Sequence, residues 1–76
     1  MHKVKLGKYQ HSKEGTFYRV LAIGKHSETL EDLVVYESLY DNPTSKVWVR
    51  PLKMFAEKVV INGEKAPRFR YVREDA

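Results

Sequence analysis

The strongest hydrophobic pattern of the chain lies between positions 33 and 55. Leu33–Tyr40 and Val47–Arg50 are the segments richest in β-branched residues, and the second holds the single tryptophan, Trp48. Two such runs separated by Asp, Asn and Pro are typical of antiparallel strands joined by a turn. Pro51 has no N–H for a ladder, so it ends the second strand, and residues 51–55 form a short apolar crossing.

The register of this hairpin decides which side chains share a face. A four-residue loop at residues 42–45 pairs Asp41 with Lys46 and Glu37 with Arg50, which gives two opposite-charge pairs. One face then carries Val34, Tyr36, Tyr40, Val47 and Val49, and the other carries Val35, Leu39, Trp48 and Arg50. A loop of three or five residues instead places Tyr36 opposite Arg50. A one-residue slip would exchange the two faces, so the choice of loop length matters. We favour the four-residue loop because it gives the two opposite-charge pairs.

Further strands are predicted before this hairpin. Gly7–His11 and Thr16–His26 are extended segments joined by a turn at residues 12–15. Pairing His11 with Thr16 places Tyr9 opposite Tyr18, a favourable cross-strand aromatic pair. Residues 27–32 are polar and break the pattern, so we expect a loop there.

The C-terminal part predicts a second, shorter hairpin. Asn62–Gly63 provides the two positive-φ positions of a type I′ turn between residues 57–61 and 64–66. Pro67 interrupts the pattern, and Arg68–Val72 is predicted as the last strand. Residues 1–5 and 73–76 are expected to fray.

Five or six short antiparallel strands with a one-turn 3₁₀ crossing predict an all-β domain spanning residues 1–76. Closing the sheet removes the unpaired edges that short strands expose. We therefore expect a small SH3-like barrel, with an OB-like barrel as the alternative. Met54 and Phe55 are expected to fill its core.

Composition narrows the class of protein. The chain has no cysteine, which excludes a disulfide framework and thiolate metal sites. The N-terminus lacks the apolar segment of a signal peptide and no run is long enough to span a membrane, so a cytoplasmic protein without a membrane partner is expected. The net charge of +4 is unevenly distributed, because residues 26–45 carry five acidic and no basic side chains.

Several of these segments resemble a family of short bacterial proteins catalogued as a domain of unknown function. The residues that carry the resemblance are GKYQH, HSETLE, VVYESLY, WVRPLKMF and PRF, between Gly7 and Phe69. The segment DNPTSK departs from it, since family members tend to have a glycine-containing turn there. The resemblance implies a small β-barrel-like domain, found alone or joined to other domains, and it implies no established activity.

The segment His26–Ser27–Glu28–Thr29 is the first candidate for chemistry. Nucleophilic catalysis needs the hydroxyl within reach of the imidazole, whereas neighbours on an extended chain point to opposite faces. The side chains are expected instead to satisfy loop backbone groups or to contact a ligand. Because the three histidines are dispersed, no metal or other cofactor is predicted.

Trp48 and Arg50 alternate along one strand and form the second candidate, together with Tyr9 or Tyr36. Aromatic rings beside an arginine suit stacking, cation–π contacts and bidentate binding of carboxylate or phosphate. We also expect the loop at residues 26–29 to lie beside Arg50, with Glu28 or Glu31 as its ion-pair partner, in competition with Glu37.

The sequence therefore favours a non-enzymatic binding or adaptor module that recognises a peptide or protein partner, as a monomer or weak homodimer. Its candidate site comprises His26, Ser27, Glu28, Thr29, Tyr36, Trp48 and Arg50. The alternative is a nucleic-acid-binding module that stacks bases on aromatic rings between cations. The residues of that alternative are Arg68, Phe69, Arg70, Tyr71 and Arg73.

Overall fold

The computed structural model describes residues 4–74. In this part of the chain seven β-strands and one helical turn follow one another. They are β1 (Gly7–His11), β2 (Phe17–Lys25), β3 (Asp32–Ser38), β4 (Val47–Pro51), α1 (Leu52–Phe55), β5 (Lys58–Ile61), β6 (Glu64–Pro67) and β7 (Phe69–Arg73). The all-β prediction is confirmed. The crossing lies where it was predicted but its 3₁₀ form was wrong: it is a single α-turn, because the N–H of Ala56 donates to the carbonyl of Leu52 at 2.9 Å.

The strands form two antiparallel sheets. The larger has five strands in the order β4-β3-β2-β1-β7, and β5 and β6 form a two-stranded ribbon. Within residues 4–74 β4 and β7 lie at opposite edges of the large sheet, so the SH3-like or OB-like closure does not form. Pro51, which has no N–H for a ladder, ends β4, and the chain turns into α1.

Both flanking hairpins form as predicted. Tyr9 lies opposite Tyr18 in the pairing of β1 with β2. The N–H of His11 donates to the carbonyl of Thr16 at 2.8 Å. In the ribbon, Asn62 and Gly63 have φ values of 52° and 81°, as a type I′ turn requires.

The predicted register of the central hairpin is wrong. Tyr36 lies opposite Trp48, Val34 opposite Arg50 and Glu37 opposite Val47. The two charge pairs of the four-residue loop are therefore absent, and Tyr36 does not face Arg50 as the alternative register required. Trp48 and Arg50 share the face of Val34 and Tyr36.

A longer loop at residues 39–45 causes this difference. Leu39 continues the pairing with β2, because its N–H donates to the carbonyl of Phe17 at 2.9 Å, whereas the pairing with β4 ends at Ser38, whose N–H donates to the carbonyl of Lys46. The side-chain oxygen of Asn42 then accepts the N–H of Thr44 at 3.0 Å, a local turn that reverses the chain without strand pairing. Hydrogen bonds of this kind, from a side chain to a nearby backbone group, compete with strand pairing. The number of residues between two predicted strands does not reveal them.

One face of the large sheet carries an aromatic core. The buried residues are Tyr9, Tyr18, Val20, Val34, Tyr36, Phe55 and Phe69. Phe55 of α1 covers the sheet and stacks on Phe69 with ring centroids 4.2 Å apart. Met54 is 43% exposed, so its predicted core position is wrong. Adjacent residues of a helix point about 100° apart, and a single turn buries only one of them.

Candidate functional site

A cavity of about 200 Å³ opens on the core side of the sheet, where β2, β3 and β4 meet the loop at residues 39–45. It is lined by Tyr18, Tyr36, Tyr40, Asn42, Trp48 and Arg50. We call these six residues the aromatic–arginine site. Sequence reasoning placed Tyr36, Trp48 and Arg50 in the candidate site, and the structure brings these three together.

Three tyrosines and an asparagine form one wall of this site. The rings of Tyr36 and Tyr40 each contact that of Tyr18 edge to face, with centroids 5.6 Å apart. The hydroxyls of Tyr18 and Tyr40 lie 2.9 Å apart, and Asn42 Nδ2 donates to the Tyr40 hydroxyl at 3.1 Å. Burial, together with the hydrogen bond to Tyr40, raises the pKa of Tyr18 to about 12. The Tyr18 hydroxyl is therefore uncharged at neutral pH.

Arg50 forms the opposite side of the site. Its guanidinium carbon lies 5.6 Å from the centroid of the Phe69 ring, within cation–π range. No carboxylate of residues 4–74 lies within ion-pair distance of it. The guanidinium of a half-buried arginine that has no acidic partner keeps its N–H donors available to a ligand.

The predicted ion pair of Arg50 with Glu28, Glu31 or Glu37 is therefore wrong. Glu31 pairs with Lys53 at 3.6 Å, and Glu37 pairs with Arg19 at 3.2 Å. The shifted register is the reason, since it places Val34 rather than a carboxylate opposite Arg50.

Trp48 brings an unpartnered donor to the site. Its indole Nε1 is covered from solvent and finds no acceptor among residues 4–74. A covered N–H without a partner costs about 1–3 kcal/mol, so proteins seldom retain one. Among residues 4–74 this N–H is therefore left unsatisfied.

His11 lies at the same end of the core as Arg50. Its ring contacts Phe69 edge to face at 5.1 Å, and its Nδ1 accepts the N–H of Glu14 at 3.1 Å. Burial is the main cause that lowers the pKa of His11; the charges of Arg68 and Arg50 lower it further, and Glu14 opposes them. The imidazole is therefore held neutral in positive surroundings.

The segment at residues 26–29 does not line the cavity. His26 Nδ1 accepts the backbone N–H groups of Glu28 and Thr29, both at 3.2 Å. The carbonyl of His26 accepts the N–H of Leu30, which has a φ of 63°. These contacts close a tight exposed turn in which His26 Nδ1 serves as a hydrogen-bond acceptor for the backbone. In the described part of the chain no group of three His or acidic side chains could hold a metal ion.

The residues of the nucleic-acid alternative divide between the two faces of the sheet. Phe69 is buried, and Arg68 pairs with Glu57. Tyr71 lies on the core side, with Lys5 Nζ 5.2 Å from its ring centroid. Arg70, bonded to Gln10, and Arg73, opposite Lys8, lie on the other face. Phe69 is therefore not available to stack on a base.

Sequence reasoning missed Tyr18, Tyr40, Asn42 and His11. The available signal for Tyr40 and Asn42 was the Asn-Pro-Thr segment, because an Asn side chain that caps a turn folds the loop back over the sheet. His11 had no local signal, since it approaches the site only through the pairing of β1 with β7.

Two larger hollows of about 320 and 410 Å³ lie elsewhere. The first is mainly apolar and borders Phe55 and Tyr71. The second lies by β6, where Arg70 and Gln10 bond to each other. Neither hollow is lined by Trp48, whose Nε1 lacks a partner, or by Arg50, whose guanidinium has no carboxylate partner. We therefore place the candidate site at the smaller cavity. No helix of residues 4–74 is long and apolar enough to cross a membrane.

Comparison with known proteins supplies the family of the chain. A crystal structure of a DUF1653 protein from Bordetella bronchiseptica is similar, with a TM-score of 0.86 and 33% sequence identity over 96% of this chain and 92% of that one. No curated protein matches the chain. The model of the family described as "Protein of unknown function (DUF1653)" matches residues 7–71. The predicted resemblance is thus confirmed, and this chain belongs to the DUF1653 family.

Proposed function

We propose that this protein is a non-enzymatic binding module that recognises a peptide or protein partner through the aromatic–arginine site. The observation that carries the proposal is Arg50, which has no carboxylate partner among residues 4–74 and lies beside an aromatic cavity. A half-buried guanidinium without a counter-ion is poised to form charge-assisted hydrogen bonds with a carboxylate brought by a ligand.

The surroundings of Arg50 favour binding over catalysis. The Tyr18 hydroxyl stays protonated at neutral pH because burial raises its pKa to about 12, so it does not serve as a base. The tyrosine rings and Trp48 offer apolar area, and the tyrosines also offer hydroxyls. Tyr, Trp and Arg are the residues that most often dominate the energy of protein interfaces.

Selection from a phage library of random peptides tests the proposal. The immobilised baits are wild type, Arg50→Gln, and Arg70→Gln as a matched control that removes an arginine from the other face. We expect enriched peptides to bind wild type and Arg70→Gln equally. Arg50→Gln should weaken them about tenfold or more, the usual effect of losing a charge-assisted hydrogen bond.

Circular dichroism and thermal denaturation of the three baits would verify that they are equally folded. A library that yields no specific binder would contradict the proposal. Peptides that bind Arg50→Gln as tightly as wild type would also refute it, because the guanidinium would then have no role in recognition.

Nucleic-acid binding is a second candidate, and the outer face of the sheet carries it. Lys8 lies opposite Arg73, and Gln10 lies opposite both Arg70 and Phe17. The Lys8 ammonium lies 4.5 Å from the centroid of the half-exposed Phe17 ring. This pattern of cations around an accessible ring suits a single strand, with phosphates on the cations and a base on the ring.

Fluorescence anisotropy with a labelled single-stranded oligonucleotide tests this second candidate. Affinity should fall steeply between about 50 and 200 mM salt, since phosphate contacts release counterions. The double variant Arg70→Gln/Arg73→Gln should bind more weakly, whereas Arg50→Gln on the core side should bind like wild type. Undetectable binding at the lower salt concentration would end this candidate.

A further inference from the structure

Strand β4 is an edge of the large sheet, and its pairing with β3 fixes where its backbone groups point. The N–H of Ser38 donates to the carbonyl of Lys46 at 2.9 Å. In an antiparallel ladder such bonded pairs alternate with non-bonded pairs. Trp48 and Arg50, two and four residues further along, are therefore bonded to β3 as well. The backbone groups of the residues between them point away from the sheet.

Val49 is the main residue whose backbone is exposed at this edge. Its N–H and C=O point outward and have no backbone partner among residues 4–74. The carbonyl of Val47, which also points outward, accepts the Ser45 hydroxyl at 2.8 Å. Pro51 has no N–H to offer. The open edge is therefore short and centred on Val49, where an added strand could form a bonded pair.

The side chains of β4 alternate around this edge. Val47 and Val49 are 48% and 58% exposed on the outer face, whereas Trp48 and Arg50 line the cavity on the core face. A strand paired with β4 would carry the same alternation. Its residue opposite Val49 would lie on the valine side, and both neighbours of that residue would lie over the aromatic–arginine site.

The charge of this edge indicates what it binds. Residues 46–53 contain Lys46, Arg50 and Lys53 and no acidic side chain. Lys46 pairs with Glu37 and Lys53 with Glu31, both at 3.6 Å. Arg50 alone has no carboxylate among residues 4–74. The complementary partner is an acidic segment that brings a carboxylate to Arg50.

We infer that the β4 edge binds an extended acidic segment of a partner protein as an added antiparallel strand, with an Asp or Glu side chain placed opposite Arg50. The inference rests on the proposed binding function and specifies its mode and ligand chemistry. Backbone hydrogen bonds at Val49 supply affinity, and the alternate side chains over the cavity supply specificity, as in other cases of strand addition.

A second copy of this chain fits the edge less well. Antiparallel pairing of two β4 strands about Val49 would place Trp48 of one copy opposite Arg50 of the other. It would also bring two basic segments together and leave both guanidinium groups without a carboxylate. Like charges held close together across an interface oppose association.

The fluorescein-labelled peptide Ser-Val-Glu-Val-Tyr-Val-Ser is the probe for fluorescence anisotropy. Its glutamate lies opposite Arg50 when the following valine pairs with Val49 and the tyrosine faces Trp48. Two matched peptides serve as controls. One replaces the glutamate with lysine, and the other methylates the backbone nitrogen of the central valine, which removes the hydrogen bond to the Val49 carbonyl.

Variants at Val49 separate strand addition from side-chain recognition. Val49→Pro removes the outward N–H and leaves the bonds to β3, so the fold should survive, as prolines are tolerated at sheet edges. Val49→Thr keeps the N–H and is the matched control. We expect Val49→Pro and each control peptide to lower affinity about tenfold or more, and Val49→Thr to bind like wild type. Amide hydrogen exchange at Val49 should slow when the peptide binds.

Three other outcomes would each contradict the inference. If wild type does not bind the acidic peptide at about 1 mM, the edge does not take such a segment. If peptides depend on Arg50 yet bind Val49→Pro normally, recognition occurs through side chains alone and the proposed binding function stands without strand addition. If sedimentation shows a dimer that Val49→Pro dissociates, the edge binds a second copy instead.

Discussion

Replacing Tyr18 by Phe tests the wall of the aromatic–arginine site through a dependence on pH. The Tyr18 hydroxyl lies 2.9 Å from that of Tyr40 and accepts from the Thr16 hydroxyl at 3.3 Å. At neutral pH the variant loses these contacts and keeps the ring. The expected cost is about 1 kcal/mol of the free energy of unfolding, because a neutral hydrogen bond contributes about 0.5–1.5 kcal/mol. That cost is a sizeable part of the total, about 4–11 kcal/mol for 76 residues.

The free energy of unfolding that Tyr18→Phe loses relative to wild type should decrease sharply at high pH. The pKa of Tyr18 is about 12 in the folded protein and 10.0 in an unperturbed tyrosine. The unfolded chain therefore loses the proton first, and the stabilisation is complete below pH 10 and decreases as the pH rises toward 12. At pH 11 the pH is about one unit above the pKa of the unfolded chain and still below that of the folded protein. Each such unit lowers the free energy of unfolding by about 1.4 kcal/mol, so wild type loses about 1.4 kcal/mol of stability by pH 11. The phenylalanine of the variant cannot ionise, so the variant does not lose stability in this way.

Denaturant unfolding of wild type and Tyr18→Phe at about pH 8 and pH 11 measures this difference, because the other titrating groups cancel between the two proteins. The stability advantage of wild type should fall by about 1.4 kcal/mol, so that at the higher pH it disappears or slightly reverses. An advantage that is the same at both pH values would refute the burial of Tyr18 and its hydroxyl contacts.

Three further substitutions test the fold by chemical denaturation. Phe55→Ala should cost about 3–5 kcal/mol because it empties the centre of the core, whereas the exposed Met54→Ala should cost less than about 1 kcal/mol; equal costs would contradict the orientation of α1. Gly7→Ala should cost about 1–3 kcal/mol, because Gly7 has a φ of 136° and an added Cβ would lie 2.7 Å from the Arg73 carbonyl. Gly24→Ala meets no atom within 4 Å and should stabilise the protein by up to about 1 kcal/mol; a loss at Gly24 or none at Gly7 would refute these backbone positions. Since the pKa of His11 is lowered below 6.5, the unfolded chain takes up that proton first and stability should fall as the pH drops below 6.5; an acid dependence that persists unchanged in His11→Gln would show that another group causes it.

The sequence was most informative where local chemistry determines structure. The Asn62–Gly63 turn follows from two adjacent positions that tolerate positive φ, and the pairing of Tyr9 with Tyr18 follows from a short turn that leaves one register. In both hairpins, residues close together in the sequence determine the turn and the register of the strands. The same logic correctly placed α1 directly after Pro51.

Prediction failed where distant contacts decide between local alternatives. Leu39 stays bonded to Phe17 of β2 while the pairing of β3 with β4 ends at Ser38, and the register differs by three residues from the prediction. The shift turned Trp48 and Arg50 toward the core face and moved Glu37 away from Arg50. The residues of the site were thus partly predicted, whereas their surroundings and ion pairs were not.

The indole resonance of Trp48 gives the most direct test of the central claim, that the aromatic–arginine site binds a partner through Arg50. Because the chain has one tryptophan, a ¹H–¹⁵N correlation spectrum contains one indole signal. In wild type this signal should shift and saturate as the acidic peptide is added, since Trp48 and Arg50 line the same cavity. In Arg50→Gln it should stay in place at the same peptide concentrations. An indole signal that does not move in wild type while other amide signals shift to saturation would place the binding site elsewhere and contradict the claim.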